Sequence, residues 1–372
     1  MKIKVLIDLC LLDNLNTGLG QVSYNYGEAV SKAQTDDLDI TFLVPKEFVG
    51  KFGSQVSYIA VSKKYRYFPF LLPKFDIWHC ISQRARYVPI NFETKVIYTI
   101  HDVAFHVFQG AHRARTIRRT KRRIHEMDCI STISNYVAAD IRQHFDLEGK
   151  NIEVIYNGVS QFDVSQGKKP SFIQSERRPY FFTIGQISIR KNFGVLLDMM
   201  KLMPEYDLFI AGENISEAAL QMKAKIEAEN IKNVFLPGTV TEEEKIWMYD
   251  HSQAFFFPSL FEGFGMPVIE AMQFGKPVFS STFTSLKEIG KNFSFYWDHF
   301  EPEYMKTVVM DGISAFYAHP EKIEAQKEYA SSFSYEKNVD AYFNLYRKLA
   351  SGKKMKISFF TLLIRYFTMI VK

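Results

Sequence analysis

Two glutamates eight residues apart, Glu262 and Glu270, enclose the run Gly263-Phe264-Gly265-Met266-Pro267. The two glycines suit a tight loop, and Pro267 suits the opening of a helix. Backbone amides of Gly265 and Met266, just before Pro267, would face whatever lies above that loop. Glu270 would then fall in the first turns of a helix otherwise built of Val268, Ile269, Ala271 and Met272. A carboxylate among such neighbours needs a partner, and a pair of ligand hydroxyls would serve. An acid that merely favours a helix N-terminus is the simpler account of Glu270, but it leaves Glu262 unexplained. Upstream, Gly185-Gln186 leads into Arg190-Lys191-Asn192. Two adjacent cations before a helical pattern suit a diphosphate whose charge rises as it departs; a solvated surface pair is the alternative. His101-Asp102 follows an apolar run, so its imidazole should emerge at a strand end. There it could donate to a hydroxyl or stabilise charge near a reacting carbon, unless it is a structural histidine. Finally, Thr17-Gly18-Leu19-Gly20 precedes a helical pattern where a phosphate could approach the backbone, although a plain tight turn explains it too.

Strands must deliver these groups. Short apolar runs at 4–9, 40–44, 77–80, 95–100, 129–133 and 152–155 alternate with helical patterns, and a second series follows at 180–184, 207–211, 233–236, 254–258 and 277–280. Such alternation is the signature of α/β folds with parallel sheets. The expected architecture is two Rossmann-like, doubly wound domains facing a central cleft. Ligands in such sheets bind outside the carboxyl ends of the strands, where all four motifs fall. The polar stretch 161–179 reads as an exposed linker. The domains are placed at 1–165 and 166–334, with a helix at 335–350 and a tail at 351–372.

The chain has 372 residues, too many for one ordinary domain, and 34 Phe with 20 Tyr supply large cores. Cys10, Cys80 and Cys129 lie far apart among apolar neighbours, which argues against a disulfide framework or a metal-ligand spacing and for a reducing compartment. Asp8 interrupts the apolar N-terminal run and no small-residue cleavage site follows, so a buried first strand is expected rather than a leader. Asp37-Leu38-Asp39 imitates a metal-binding motif but sits in a polar turn and reads as surface.

The run from Glu262 to Met272 resembles the paired-glutamate motif of retaining glycosyltransferases with the GT-B fold, especially family 4. The Gly18–Gly20 loop, His101-Asp102, Ile130 to Ser134, Val154 to Val159, Arg190-Lys191-Asn192 and Leu236-Pro237-Gly238 occur in that family's order, and the resemblance spans roughly residues 2 to 349. It implies that Arg190 and Lys191 hold the donor diphosphate beside Gly185. It implies that Glu270 takes the ribose hydroxyls. Glu262, Gly263, Phe264 and the amides near Gly265, Met266 and Pro267 would hold the donor sugar. His101 would contact the transferred sugar, Gly18 and Gly20 would lie near phosphate or sugar, and Gly238 to Val240 beside the base. Catalytic roles thus fall to His101, Glu262, Lys191 and Arg190, and neither metal nor cofactor is needed. Many relatives carry arginine where this chain has Gln186 and Gln21, which shifts phosphate charge onto Arg190 and Lys191.

Net charge is only +5, but His112 to His125 holds seven Arg or Lys. Arg115, Arg118, Arg119 and Arg122 share one helical face with no balancing acid in the run, which suits an anionic membrane or acceptor, a merely solvated face being the alternative. Nucleic acid is disfavoured because stacking aromatics are absent there. From Ile357 the tail is apolar around a stripe of Ser358, Thr361, Arg365, Thr368 and Lys372, with Lys353, Lys354 and Lys356 before it, as expected of an in-plane interfacial helix; a helix that buries its apolar face against the protein or a second subunit is the alternative. The expected function is transfer of a hexose from GDP-mannose or a UDP-hexose to a glycan or lipid-linked acceptor, by a cytoplasmic protein peripheral on the inner face of the membrane. A nucleotide-sugar epimerase of the same fold and a non-catalytic membrane-associated scaffold are the alternatives.

Overall fold

The protein is described by a computed structural model covering residues 2–15, 17–89, 91, 93–104, 113–173 and 178–352. It divides into two compact units, Met1–Gly158 with Ser334–Lys372, and Val159–Phe333. The tail from residue 353 onward, with Arg365, lies outside the described residues, as does Asn16.

In unit 1, strands β1 (Ile3–Asp8), β2 (Leu38–Val44), β3 (Ser57–Ala60), β4 (Ile77–Cys80), β5 (Lys95–Ile100), β6 (Cys129–Thr132) and β7 (Ile152–Val154) form one parallel sheet. Their order is β3-β2-β1-β4-β5-β6-β7, so the winding reverses between β1 and β4. Val5, Leu6 and Ile7 of β1 are fully buried, which accounts for the near-continuous apolar run. The helices are α1 (Gly18–Lys32), α2 (Lys64–Tyr67), α3 (Arg113–Glu126) and α4 (Asn135–His144). Asp37 and Asp39 are exposed, although β2 opens at Leu38 and so takes in Asp39.

Unit 2 repeats the plan with β8 (Tyr180–Ile184), β9 (Asp207–Ala211), β10 (Val234–Gly238), β11 (Ala254–Phe257), β12 (Val278–Ser281) and β13 (Ser294–Trp297), ordered β10-β9-β8-β11-β12-β13 and again parallel. Here the winding reverses between β8 and β11. Its helices are α5 (Val195–Lys201), α6 (Glu217–Ala228), α7 (Glu242–His251), α8 (Met266–Gln273), α9 (Leu286–Gly290), α10 (Pro302–Tyr317) and α11 (Pro320–Ser331). Phe181, Phe209, Phe256, Phe279 and Trp297 fill the core, with Phe181 and Phe256 ring centroids 4.5 Å apart.

The chain then enters unit 1 again as α12 (Tyr335–Ser351), whose Tyr335, Val339, Tyr342, Phe343, Leu345 and Tyr346 join that unit's core. A buried polar network fixes its register. Tyr346 Oη lies 2.7 Å from His79 Nδ1, His79 Nε2 lies 2.8 Å from Thr99 Oγ1, and Thr99 lies 2.7 Å from Ser131. Burial holds His79 neutral, with a pKa of about 3. At the rim, Arg347 forks onto Asp37 at 2.7 and 2.9 Å, so that aspartate holds a helix in place.

Two strands were not expected: β3 and β13. Both are four-residue edge strands with a partner on one side only. The stretch from Gln161 also differs from expectation. It packs on unit 2, with Phe162 5.5 Å from Phe274, Phe172 5.8 Å from Phe209, and Ile173 buried. Its polar composition concealed apolar anchors spaced along it.

Candidate functional site

The loops after β8 and β11 flank the reversal point of unit 2, where parallel sheets leave a crevice for ligands. After β8, Gly185 adopts φ +149° and a single helical turn presents Arg190 and Lys191. Asn192 then takes a left-handed conformation that ends the turn. After β11 comes Ser259, then Glu262 and the glycine loop. These two loops meet. Lys191 Nζ lies 2.7 Å from Glu262 Oε1 and 4.6 Å from the Phe257 ring centroid. Arg190 Nη1 stands 3.8 Å from Glu262 Oε2 and donates to the Phe261 carbonyl at 3.3 Å. Ser259 Oγ donates to Glu262 Oε1 at 2.7 Å. Burial alone would raise the Glu262 carboxyl, but the Lys191 and Arg190 charges and the two hydrogen bonds hold it below the usual range, so the group is an anion.

The glycine loop is braced from the segment after β12. Ser285 Oγ donates to the carbonyls of Glu262 and Phe264, and the Glu262 amide donates to Thr284 Oγ1 at 2.9 Å. Gly265 caps α8 at φ +100°, and a Cβ there would lie 2.6 Å from Leu286 Cδ2. The left-handed φ calls for glycine at that position, and a Cβ would also press on the Leu286 side chain. Met266 and Pro267 are half-buried at the head of α8, and Gly263 and Phe264 are buried.

Glu270 is half-buried and has two partners from α7: Tyr249 Oη donates to its Oε2 at 3.0 Å, and Lys245 Nζ stands 3.8 Å away. Sequence reading foresaw the need for a partner but named neither residue, because both lie more than twenty positions upstream. Ser259, Thr284 and Ser285 were missed for the same reason, being common hydroxyl residues without a spacing signature. Gly212 was missed as well. It follows β9 at φ +131°, packs directly on the Gly185 carbonyl, and donates its amide to the Gly238 carbonyl at 2.8 Å. Gly185, Gly212 and Gly238 thus line up at the ends of three adjacent strands, with Val240 half-buried just beyond. Gln186, at one of the positions where many relatives carry arginine, donates Nε2 to Glu213 Oε2 at 2.7 Å.

Unit 1 holds the remaining residues. Thr17 Oγ1 caps α1 by accepting from the Gly20 amide at 3.1 Å. A side chain on Gly20 would collide with the Asn14 carbonyl, whereas one on Gly18 would meet nothing within 4 Å. Gln21 Nε2 donates to the Leu15 carbonyl at 2.7 Å. His101 sits at the end of β5 as expected, but it is buried, and its Nε2 lies 2.7 Å from the Ile81 carbonyl. A carbonyl can only accept, so Nε2 carries the proton, and burial lowers the imidazole pKa and keeps the ring neutral. The ring therefore offers Nδ1 as an acceptor, where a donor to substrate was one expectation.

On α3, Arg115, Arg118 and Arg119 are exposed. Two features correct the picture of an unbalanced face. Arg122 pairs with Glu126, one residue beyond His125, at 2.8 Å, and Arg119 Nη2 is tied to the Ala85 carbonyl at 2.8 Å. Among the described residues no helix is long and apolar enough to cross a membrane.

Two doubly wound parallel sheets, one of them carrying paired cations and a glycine-braced carboxylate at its reversal point, define the GT-B class of glycosyltransferase. Residues 166–332 match the family model for glycosyl transferases group 1, and residues 40–161 match that for glycosyltransferase family 4. The chain belongs to the group 1 glycosyltransferases of the GT-B fold and is a glycosyltransferase enzyme. It is 24% identical over 314 residues to an O-antigen chain mannosyltransferase of Salmonella typhimurium, covering 78% of this chain and 86% of that one. It is 25% identical over 217 residues to O-antigen chain mannosyltransferase B of Escherichia coli, covering 55% of this chain and 57% of that one. The fold is similar to that of Anabaena HepE in complex with UDP-glucose, with a TM-score of 0.70 at 16% identity over 93% of this chain and 100% of that one.

Proposed function

We propose that the enzyme transfers a hexose, with retention of anomeric configuration and without a divalent metal, from a nucleotide-diphosphate donor to a lipid-linked or surface-polysaccharide acceptor. The observation that carries this reading is the buried Lys191–Glu262 pair, flanked by Arg190, at the reversal point of unit 2. When the bond between the anomeric carbon and the diphosphate oxygen breaks, negative charge grows on that oxygen. Lys191 and Arg190 are fixed cations suited to stabilise it, the task a metal ion performs elsewhere. Glu262 orients Lys191 and offers its second oxygen to a sugar hydroxyl. Glu270, steadied by Tyr249 and Lys245, takes the ribose hydroxyls; the three strand-end glycines with Val240 suit the base. His101 accepts from a hydroxyl of the transferred sugar through Nδ1. The O-antigen mannosyltransferase relatives support mannose as the sugar, for which we take GDP-mannose as the first candidate donor, and the fold neighbour with UDP-glucose keeps a UDP-hexose as the second. We place the protein in the cytoplasm, peripheral on the inner face of the cell membrane, with Arg115 and Arg118 facing anionic lipid.

The test is a panel of labelled GDP-mannose and UDP-glucose, each with and without a membrane extract containing lipid-linked acceptors. Label entering the lipid fraction only with acceptor present supports the proposal. Conversion of one nucleotide sugar into another without acceptor would identify an epimerase instead.

A further inference from the structure

Between β3 and β4 the chain leaves the sheet as α2 followed by a helical turn at Pro69–Leu71. Leu72 and Phe75 are buried and pin the base of this excursion. Its outer part points the other way. Tyr67, Phe68, Phe70 and Leu71 are 46%, 50%, 68% and 52% exposed, and the Phe68 and Phe70 rings meet edge-on with centroids 5.9 Å apart. Isolated exposed apolar residues are ordinary, but four within five positions make a patch that calls for a partner.

The charge around the patch indicates which partner. From Ser57 to Phe75 the sequence carries Lys63, Lys64, Arg66 and Lys74 and no acid, and of these Lys74 stands 3.8 Å from Glu93 of a later segment. Tyr87 Oη reaches the Ser62 carbonyl at 3.5 Å, joining this excursion to the segment that bears the exposed Arg84 and Arg86. The carbonyls of Arg84 and Ala85 in turn hold Arg119 of α3, whose neighbours Arg115 and Arg118 are exposed. Hydrogen bonds thus link the segments that carry the aromatic tip, the lysine flank and the exposed arginines within unit 1.

We infer that the segment from Tyr67 to Leu71 inserts into the interfacial layer of an anionic lipid bilayer, with Lys63, Lys64, Lys74 and the α3 arginines on the headgroups. This rests on the membrane reading above and adds which part of the chain enters the lipid. Phe and Leu gain by leaving water, Tyr keeps its hydroxyl at the headgroup level, and each basic residue near an anionic surface adds attraction. A single-stranded nucleic acid would also meet aromatics and cations. However, the two most exposed side chains are Phe70 and Leu71, and Leu71 has no ring face on which a base could stack.

The experiment uses the full chain and vesicles of phosphatidylglycerol with phosphatidylethanolamine, against phosphatidylcholine alone. The triple variant Phe68→Ser, Phe70→Ser, Leu71→Ser should partition at least tenfold less onto the anionic vesicles, with its melting temperature unchanged. Independently, Phe70→Trp should gain fluorescence that shifts to the blue on anionic vesicles and is quenched by brominated acyl chains, above the background of Trp78, Trp247 and Trp297. If the triple variant binds vesicles like the wild type and the new tryptophan is not quenched, the inference is wrong while the membrane reading stands. If the wild type does not bind anionic vesicles, or binds single-stranded RNA that displaces it from them, both fall.

Discussion

Lys191 and Glu262 stand 71 positions apart in sequence, yet their charged atoms lie 2.7 Å apart in the interior of unit 2. Each loop is a strand end on one side of the sheet's reversal point, so the fold forces the meeting. Lys191→Ala should therefore do more than remove a phosphate contact, because it leaves a buried carboxylate without its cation. A cost of ~3–5 kcal/mol is expected, on the order of 10 °C in melting temperature. Adding Glu262→Gln should recover a substantial part of it, since the stranded charge is gone. Equal melting temperatures for the single and double variants would show that the pair is not coupled.

Acid should act on the same pair. The Glu262 pKa is depressed in the folded protein, so its contribution is present above the unfolded carboxylate value of ~4.3 and lost as pH falls below it towards the folded value. Thermal denaturation between pH 6 and pH 3 should show a steeper decline for the wild type than for Glu262→Gln. Parallel curves would contradict the assignment.

Unit 1 has its own acid response. His79 and His101 are buried neutral with lowered pKa values, so stability is complete above ~6.5 and falls as pH drops below it. For His79, with a folded pKa of about 3, the loss should reach ~2 kcal/mol by pH 5. Native-state hydrogen exchange of β4 and α12 at pH 7.5 and pH 5 reads this directly. Unchanged protection at pH 5 would mean that the ring is accommodated in its charged form.

Glu270→Ala should weaken binding of both the donor and the free nucleoside diphosphate by roughly 10- to 150-fold, as expected for charge-assisted hydrogen bonds worth ~1.5–3 kcal/mol. Tyr249→Phe should have a smaller effect in the same direction, because it removes only the hydroxyl that steadies the carboxylate. Calorimetry that finds full nucleotide affinity in Glu270→Ala would remove this residue from the site.

The two glycines at the head of α1 separate folding from function. Gly20→Ala should disrupt the turn, since its Cβ would strike the Asn14 carbonyl. Gly18→Ala has room in the protein, so it should leave the melting temperature within about 1 kcal/mol of stability while depressing turnover. If Gly18→Ala is fully active, the space beside Gly18 is not used by substrate.

Much of this was legible in the chain because parallel strands buried on both faces read as apolar runs, and loops at their ends carry glycines and charges. The strands that escaped notice, β3 and β13, are edge strands of only four residues each, although the edge strands β7 and β10 were legible as apolar runs. The paired glutamates and paired cations could be found because each motif is local. What they touch could not. Tyr249 and Lys245 reach Glu270 from α7, Ile81 fixes the His101 tautomer from the loop after β4, and Ser285 braces the glycine loop from beyond β12. Those are contacts between elements, set by packing, and no spacing rule announces them. The Phe162, Phe172 and Ile173 anchors escaped for a related reason, since scattered apolar residues in a polar stretch acquire meaning only when a surface receives them.

The central claim is retaining transfer from a nucleotide-diphosphate sugar with fixed cations at the leaving group. The most direct measurement is the linkage of the product formed from labelled GDP-mannose, whose donor bond is α, in the presence of a lipid-linked acceptor and EDTA. The account predicts stoichiometric release of GDP, an α-linked mannosyl product cleaved by an α-mannosidase, and loss of that product in the Glu262→Gln and Lys191→Ala variants. If GDP-mannose proves inert, UDP-glucose takes its place, with an α-glucosidase as the reader. A β-linked product, or transfer that stops when EDTA is added and resumes with a divalent metal, would contradict it.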